Sequence, residues 1–200
     1  MARYQLENKE KNVLEAAEKV FLAKGYSGAR THDIAAEAGV THAMLHYYFQ
    51  TKEQLFERIL KDKIAALAEV LIAISPDEDT TMKDFIIRVV SDHFDFLQKN
   101  PSLPRFVINV ITEQPELASH YISFARDLPA QMIQRLKFKL EKEGIEMNPK
   151  MLLQDIIMLN VFSIIAMPVN LLYDPGLTEE EYIKQRKEEN IIILLKRLGL

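Results

Sequence analysis

Residues 31–56 read Thr31-His-Asp-Ile-Ala-Ala-Glu-Ala-Gly-Val-Thr-His-Ala-Met-Leu-His-Tyr-Tyr-Phe-Gln-Thr-Lys-Glu-Gln-Leu-Phe56, and their spacing decides the fold. Thr31 is placed to cap a short helix on which Ile34, Ala35 and Ala38 fall at i, i+1 and i+4, a small apolar face. Gly39 follows at once, the residue type that tolerates the left-handed backbone ending a helix. Val40 is set to pack in the turn, and Thr41 caps a second helix running to about Phe49. Thr51 and Gln54 have the spacing of a capping box, in which two free amides are satisfied reciprocally at the start of a third helix. A helix, a tight glycine turn and a second helix make the helix-turn-helix pattern, whose second helix enters the major groove of DNA.

Upstream, Val13, Ala17, Val20, Phe21 and Lys24 fall at i, i+4, i+7, i+8 and i+11, so a helix is expected from Lys9 to Lys24, ended by Gly25. Residues 1–8, with Arg3, read as a frayed arm. Phe21-Leu-Ala-Lys-Gly-Tyr26, Ile34-Ala35, Ala38-Gly39-Val40, Leu45, Tyr47, Phe49 and Lys52-Glu53-Gln54-Leu55-Phe56 together resemble the N-terminal domain of tetracycline-repressor-type (TetR family) regulators. The chain departs from that pattern at His46, where an aromatic residue is usual, and at Tyr48, where His is frequent. The resemblance covers residues 1 to about 60; beyond them it is one of architecture and length.

Composition sets the outer bounds. Two hundred residues with 48% hydrophobic content are enough to bury a core without staples. The absence of Cys excludes disulfides, thiolate catalysis and Cys-based zinc sites, and suits a reducing cytoplasm. The first residues carry no apolar run of the kind a secretory signal needs. Net charge is −4, but residues 1–52 carry seven Lys/Arg against six Asp/Glu, a balance of +1, and the acidity lies in the remainder at −5. Three of the five histidines, His32, His42 and His46, also lie in the first segment. Lys24, Arg30 and Lys52 are the local cations available for phosphate.

Further along, Leu60, Ile64, Leu67, Leu71 and Ile74 alternate spacings of four and three, so a long helix is expected from Lys52 to about Ile74, long enough to bridge two domains. Ser75-Pro76-Asp77-Glu78-Asp79 breaks it. A helix capped near Thr81 follows to Lys99, stopped by Pro101 and Pro104, and a short one spans about 103–112. The next runs from Pro115 towards Glu143 with a kink or break at Pro129. Residues 151–173 are apolar nearly all round, and 156–173 carry no charge, about the length at which a membrane span must be considered. Spread polar residues and the lack of aromatic belts favour a helix buried on two sides. The last helix spans Thr178 to Leu198 and ends in Ile191-Ile-Ile-Leu-Leu195. No strand alternation persists. The fold class read from the chain is all-α, about nine helices, with a helix-turn-helix DNA-binding domain over 1–52 and a helical regulatory and dimerisation domain over 53–200.

In the second helix of the motif, Leu45 and Phe49 lie four apart and should face inward, leaving His42, Ala43, Met44 and His46 outward. Histidines can donate to base acceptors or phosphate, and Ala43 and Met44 can touch a thymine methyl. Thr31 offers phosphate a hydroxyl. The family resemblance adds that Tyr47, partly packed, and Tyr48 lie against the DNA backbone and that Lys52 binds phosphate. His42 and His46, at i and i+4, also have the spacing of a metal pair, but no third ligand stands nearby in sequence and no metal is expected.

The C-terminal part has no P-loop, no dinucleotide fingerprint, no G-x-S-x-G elbow and no Glu-x-x-His pair, so neither enzyme activity nor a cofactor is indicated. In a family that senses small molecules, His93, Phe94, Phe106, Asn109, Tyr121, Phe124, Asn160 and Phe162 are candidates for an effector pocket. The apolar surplus of the last two helices points to a homodimer through them, hence to two recognition helices on a near-palindromic DNA operator. The expected function is a cytoplasmic, ligand-released repressor. The alternatives are a regulator with no small-molecule input, or a helical protein-interaction module that no longer binds an operator.

Overall fold

The computed structural model describes residues 2–73, 79–113, 115–116 and 127–200, which form nine α-helices and no strand. They are α1 (Ala2–Gly28), α2 (Thr31–Glu37), α3 (His42–Tyr48), α4 (Lys52–Ala73), α5 (Met82–Lys99), α6 (Ser102–Glu113), α7 (Asp127–Glu143), α8 (Pro149–Tyr173) and α9 (Glu179–Leu198). Two compact units result, Met1–Ala65 with Arg105–Phe124, and Ala66–Pro104 with Ala125–Leu200. The boundary expected at residue 52 falls within the first unit, because Leu55, Phe56, Ile59 and Leu60 of α4 belong to that unit's core. Of the apolar seam expected along α4, Leu60 is buried, and Ile64, Leu67, Leu71 and Ile74 lie outside the described side chains, as does the breaker at 75–78.

The first unit is built around aromatic side chains. The rings of Phe21 and Phe56 meet edge to face at 5.2 Å, Tyr26 meets Phe56 at 4.9 Å, and Phe106 of α6 stacks on Phe56 at 4.6 Å. Offset and edge-on pairs of this kind add about 0.5–1.5 kcal/mol each beyond their buried area. Val13, Ala17, Val20, Ile34, Ala35 and Leu45 fill the space around them. α1 starts at Ala2, so the arm expected at 1–8 is helical backbone, for want of any Gly or Pro before Gly25 to stop it. Gly25, at φ 69° and ψ 171°, interrupts the helix in a conformation open to Gly alone.

The second unit packs α8 against α5, α7 and α9. Its apolar core runs through Phe85, Ile86, Val89 and Val90 of α5, Leu136 and Leu140 of α7, Leu152 and Ile156 of α8, and Leu194 and Leu198 of α9. Caps fix the helix starts where the sequence indicates. Thr81 Oγ1 accepts from Asp84 N–H, and Thr178 with Glu181 forms a full capping box. Asn148 accepts from the Lys150 and Met151 amides ahead of α8, with Pro149 in its first turn. Pro129 sits in the first turn of α7, where its missing N–H costs nothing. Below the apolar layer lies a polar one. Asn160 Nδ2 donates to Val90 O at 2.9 Å and lies 3.1 Å from His93 Nδ1, and Asn190 Nδ2 donates to Asn160 Oδ1 at 3.0 Å. Tyr182 OH donates to Ser163 O at 2.9 Å.

α8 is long and apolar enough to cross a membrane by composition. Its buried Asn160 and Ser163, bonded to α9 and to α5's Val90, seat it in a protein bundle on one side. The other side presents Met158, Phe162, Val169 and Leu172 to solvent, with Phe162 69% and Leu172 80% exposed.

Candidate nucleic-acid interface

The turn between α2 and α3 follows from Gly39. At φ 64° it lets its own N–H reach Ala36 O and lets Val40 N–H reach Ala35 O at 3.0 Å, the paired bonds of a Schellman ending. Thr41 then caps α3, its Oγ1 accepting from Met44 N–H at 3.2 Å. The cap of α2 differs from expectation. Arg30 occupies the cap position without a side-chain bond, and Thr31 is the first helical residue. Its hydroxyl is engaged sideways, 3.0 Å from His42 Nε2, because the turn folds the start of α3 back over the start of α2.

Leu45 is fully buried and Phe49 nearly so, which anchors α3 and fixes what it shows outward. His42, Ala43 and His46 are exposed and Met44 is half-buried. The two tyrosines depart from expectation. Tyr47 is 77% exposed, and Tyr48 is the one packed against the core, with its hydroxyl buried and unbonded. Three positions after Leu45, Tyr48 shares its inward face; two positions on, Tyr47 does not.

Lys52 is drawn inward. Its Nζ donates to Tyr26 O at 2.9 Å and Ala29 O at 3.3 Å and lies 4.3 Å from the centre of the Tyr26 ring. An ammonium group has three donors, so one remains for a phosphate. Lys52 thereby ties the end of α1 to the α1–α2 connection. Tyr26 OH donates to Glu53 at 2.8 Å; that bond, after one from Glu53's own backbone N–H, holds the carboxyl below its usual range. Thr51 Oγ1 caps Gln54 N–H as expected, while the Gln54 side chain takes Gln50 N–H instead of closing the box on Thr51. The α1 cations are partly spent: Lys24 pairs with Asp33 at 2.8 Å and Lys19 with Glu37 at 3.3 Å. The Lys24 bond keeps the Asp33 carboxyl below its ordinary range.

One grouping was not legible in the sequence. His32 of α2 comes beside His42, ring centres 6.2 Å apart, and His42 meets His46 edge to face at 4.4 Å. All three are exposed. Nothing in their spacing announces His32, since only the turn geometry brings position 32 next to 42. Among the described residues no group of three or more His, Cys, Asp or Glu is placed to hold a metal ion.

The pocket candidates scatter. Phe106 lies in the aromatic core of the first unit, and Asn109 is half-buried on the same helix. His93, Phe94 and Asn160 are buried in the second unit, and Phe162 is on its surface. Tyr121 and Phe124 lie outside the described residues. Burial pushes the His93 imidazole down to about 4.

Residues 13–59 match a family model described as bacterial regulatory proteins, tetR family. The nucleoid occlusion factor SlmA of Pasteurella multocida is 29% identical over 123 residues, 60% of this chain and 61% of that protein. The chain thus spans about three fifths of the length of the curated relatives it matches. The fold is shared with solved structures over about nine tenths of the chain. The TetR family transcriptional regulator PfmR of Thermus thermophilus superposes with a TM-score of 0.71 at 19% identity, over 91% of this chain and 93% of that one. The transcriptional regulator FadR of Bacillus subtilis, solved with stearoyl-CoA, gives 0.67 at 20% identity, over 92% and 95%.

Proposed function

Because this chain belongs, through residues 13–59, to the tetR family of bacterial regulatory proteins, we propose that it is a homodimeric transcriptional repressor, holding a near-palindromic operator in the cytoplasm and released from it by a small molecule. The observation that carries the reading is α3, which buries Leu45 and Phe49 and turns His42, Ala43, His46 and Tyr47 outward as a recognition surface. Residues 1–52 carry the DNA contacts, with Thr31, Met44, Tyr48 and Lys52 positioning that surface. Residues 53–200 regulate and dimerise.

The dimer reading rests on the exposed stripe Met158, Phe162, Val169 and Leu172 of α8, and on the exposed Ile192 and Ile193 of α9. A stripe this apolar is an interaction surface, and pairing two copies about a two-fold axis makes a four-helix seam. The regulatory reading rests on connectivity. α4 and α6 each hold residues of both compact units. An effector that favours a shifted position of either helix changes the head it enters, and ligand and DNA then oppose each other by ~1–3 kcal/mol. Effector contacts are sought first at His93, Phe94 and Asn160. The stearoyl-CoA in the FadR structure makes a long-chain acyl thioester the first compound to try.

A second reading, a DNA-binding regulator with no small-molecule input, is favoured by the scatter of the pocket candidates: Phe106 lies in the first unit's core, His93, Phe94 and Asn160 are buried in the second, and Phe162 is on its surface. Among the described residues, Lys137, Ile145 and Met147 line an open groove of about 460 Å³, and Met158, Phe162 and Arg186 line one of about 330 Å³. A gel shift on DNA flanking the coding region, with sedimentation of the same preparation, tests the main reading. A dimer that retards this DNA and lets go with an acyl thioester supports it; a dimer that retards DNA and ignores every effector supports the second. A monomer that retards no duplex refutes both.

A further inference from the structure

We propose that His32, His42 and His46 form a proton-gated phosphate-binding cluster, so that the head takes up protons as it takes up duplex DNA. The inference rests on the DNA-binding reading above and adds to it a residue, His32, and a chemical condition for contact.

The argument starts from bonding at His46. Its Nδ1 lies 3.2 Å from Gln50 O. A carbonyl oxygen only accepts, so Nδ1 carries the hydrogen, and in the neutral ring Nε2 is a bare lone pair. Phosphate oxygens and the N7 and O6 atoms of guanine are also acceptors. A neutral His46 therefore meets them lone pair to lone pair. Only the protonated ring has an Nε2–H to give. His42 is less constrained, because its Nε2 partner, Thr31 Oγ1, can donate or accept, and the hydroxyl turns to suit either charge state. His32 is the third ring of the chain of contacts, next to His42.

Two features make DNA the trigger. The rings of His42 and His46 stand together, centres 4.4 Å apart, on the exposed face of α3, where a phosphate can lie against both, and an adjacent anion favours the charged form of an imidazole. The second feature is the shortage of other cations. Lys24 is bonded to Asp33 and Lys19 to Glu37, Lys52 is turned towards two carbonyls, and Glu53 on α4 is bonded to Tyr26. Arg30 stands exposed at the start of α2, within electrostatic range of Asp33. Residues 1–52, with a net balance of +1, meet a polyanion, and imidazole is the side chain whose ordinary charge change falls in the physiological range.

The test is fluorescence anisotropy of a labelled mixed-sequence duplex of ~40 bp at fixed low salt, from pH ~8 to ~6, since phosphate contact needs no operator. Wild type is compared with the triple variant His32→Gln, His42→Gln, His46→Gln, which keeps polar side chains at exposed positions but cannot titrate. Affinity of the wild type is expected to rise about tenfold for each imidazole whose protonation the duplex favours by one pH unit. The variant should gain little on acidification, so the slope of affinity against pH, and not its affinity near pH 8, is the quantity compared. Should the variant misfold, calorimetry of the wild type in two buffers of different ionisation heat reads the proton uptake directly. Equal slopes in both proteins, or no proton uptake, overturn the inference and leave DNA binding standing. No binding at any pH overturns both.

Discussion

Acidification from pH 7 to pH 5 should destabilise the second unit through one side chain, His93. The ring is 4% exposed, on the buried face of α5, with Nδ1 against Asn160. Burial lowers its pKa from 6.5 to about 4, because the charged ring would leave water without an anion to meet it. The unfolded chain therefore binds a proton near pH 6.5 that the folded chain refuses until about pH 4. Stability from this group is complete above 6.5 and drains away as pH falls towards 4. A difference of two to three pH units is ~3 kcal/mol in all, of which ~2 kcal/mol is lost between pH 7 and 5, above the range in which most carboxylates titrate. Urea denaturation at pH 7 and 5 measures it. His93→Gln, which keeps a hydrogen-bonding side chain and no titration, should start lower at pH 7 but lose ~2 kcal/mol less on acidification. Equal acid losses in the two proteins would refute the assignment of the effect to His93.

Three further substitutions test the head. Phe106→Ala removes the ring stacked on Phe56 and should cost ~3–5 kcal/mol by chemical denaturation, although residue 106 lies far along the chain from α1. Lys52→Ala should do two things at once: lower stability by ~1–3 kcal/mol, from the lost charge-assisted bonds to the Tyr26 and Ala29 carbonyls, and weaken all duplexes alike in anisotropy titrations. Gly25→Ala forces a side chain into φ 69° and ψ 171° and should cost ~1–3 kcal/mol in thermal melts. Its new Cβ would also lie 2.5 Å from Glu113 Oε1, but that carboxylate is the end of a flexible side chain and can move.

What the sequence made legible was whatever local chemistry decides. Gly39 had to end α2, Thr41 had to cap α3, and a four-residue spacing had to put Leu45 and Phe49 on one face; each is a matter of neighbours within one turn. Side chains recruited from a distance were not legible. Lys52 reads as a surface cation until the fold brings the Tyr26 and Ala29 carbonyls within its reach. Phe106 reads as one more apolar residue of a helix assigned to the far domain, and only its ring contact with Phe56 makes it part of the head. His32 joins His42 through the geometry of the turn, which no period of 2 or 3.6 encodes. The Asn160–Asn190–Ser163 layer was equally hidden, since isolated polar residues in an apolar helix carry no sign of which helix will answer them.

Footprinting of the DNA flanking the coding region tests most directly whether the outward face of α3 reads DNA as half of a two-fold pair. Two protected half-sites of related, inverted sequence are expected, with centres about one helical turn, ~34 Å, or a multiple of it apart, and lost with His42→Ala and His46→Ala together. A single protected patch without inverted symmetry, or protection unchanged in that double variant, would contradict the account.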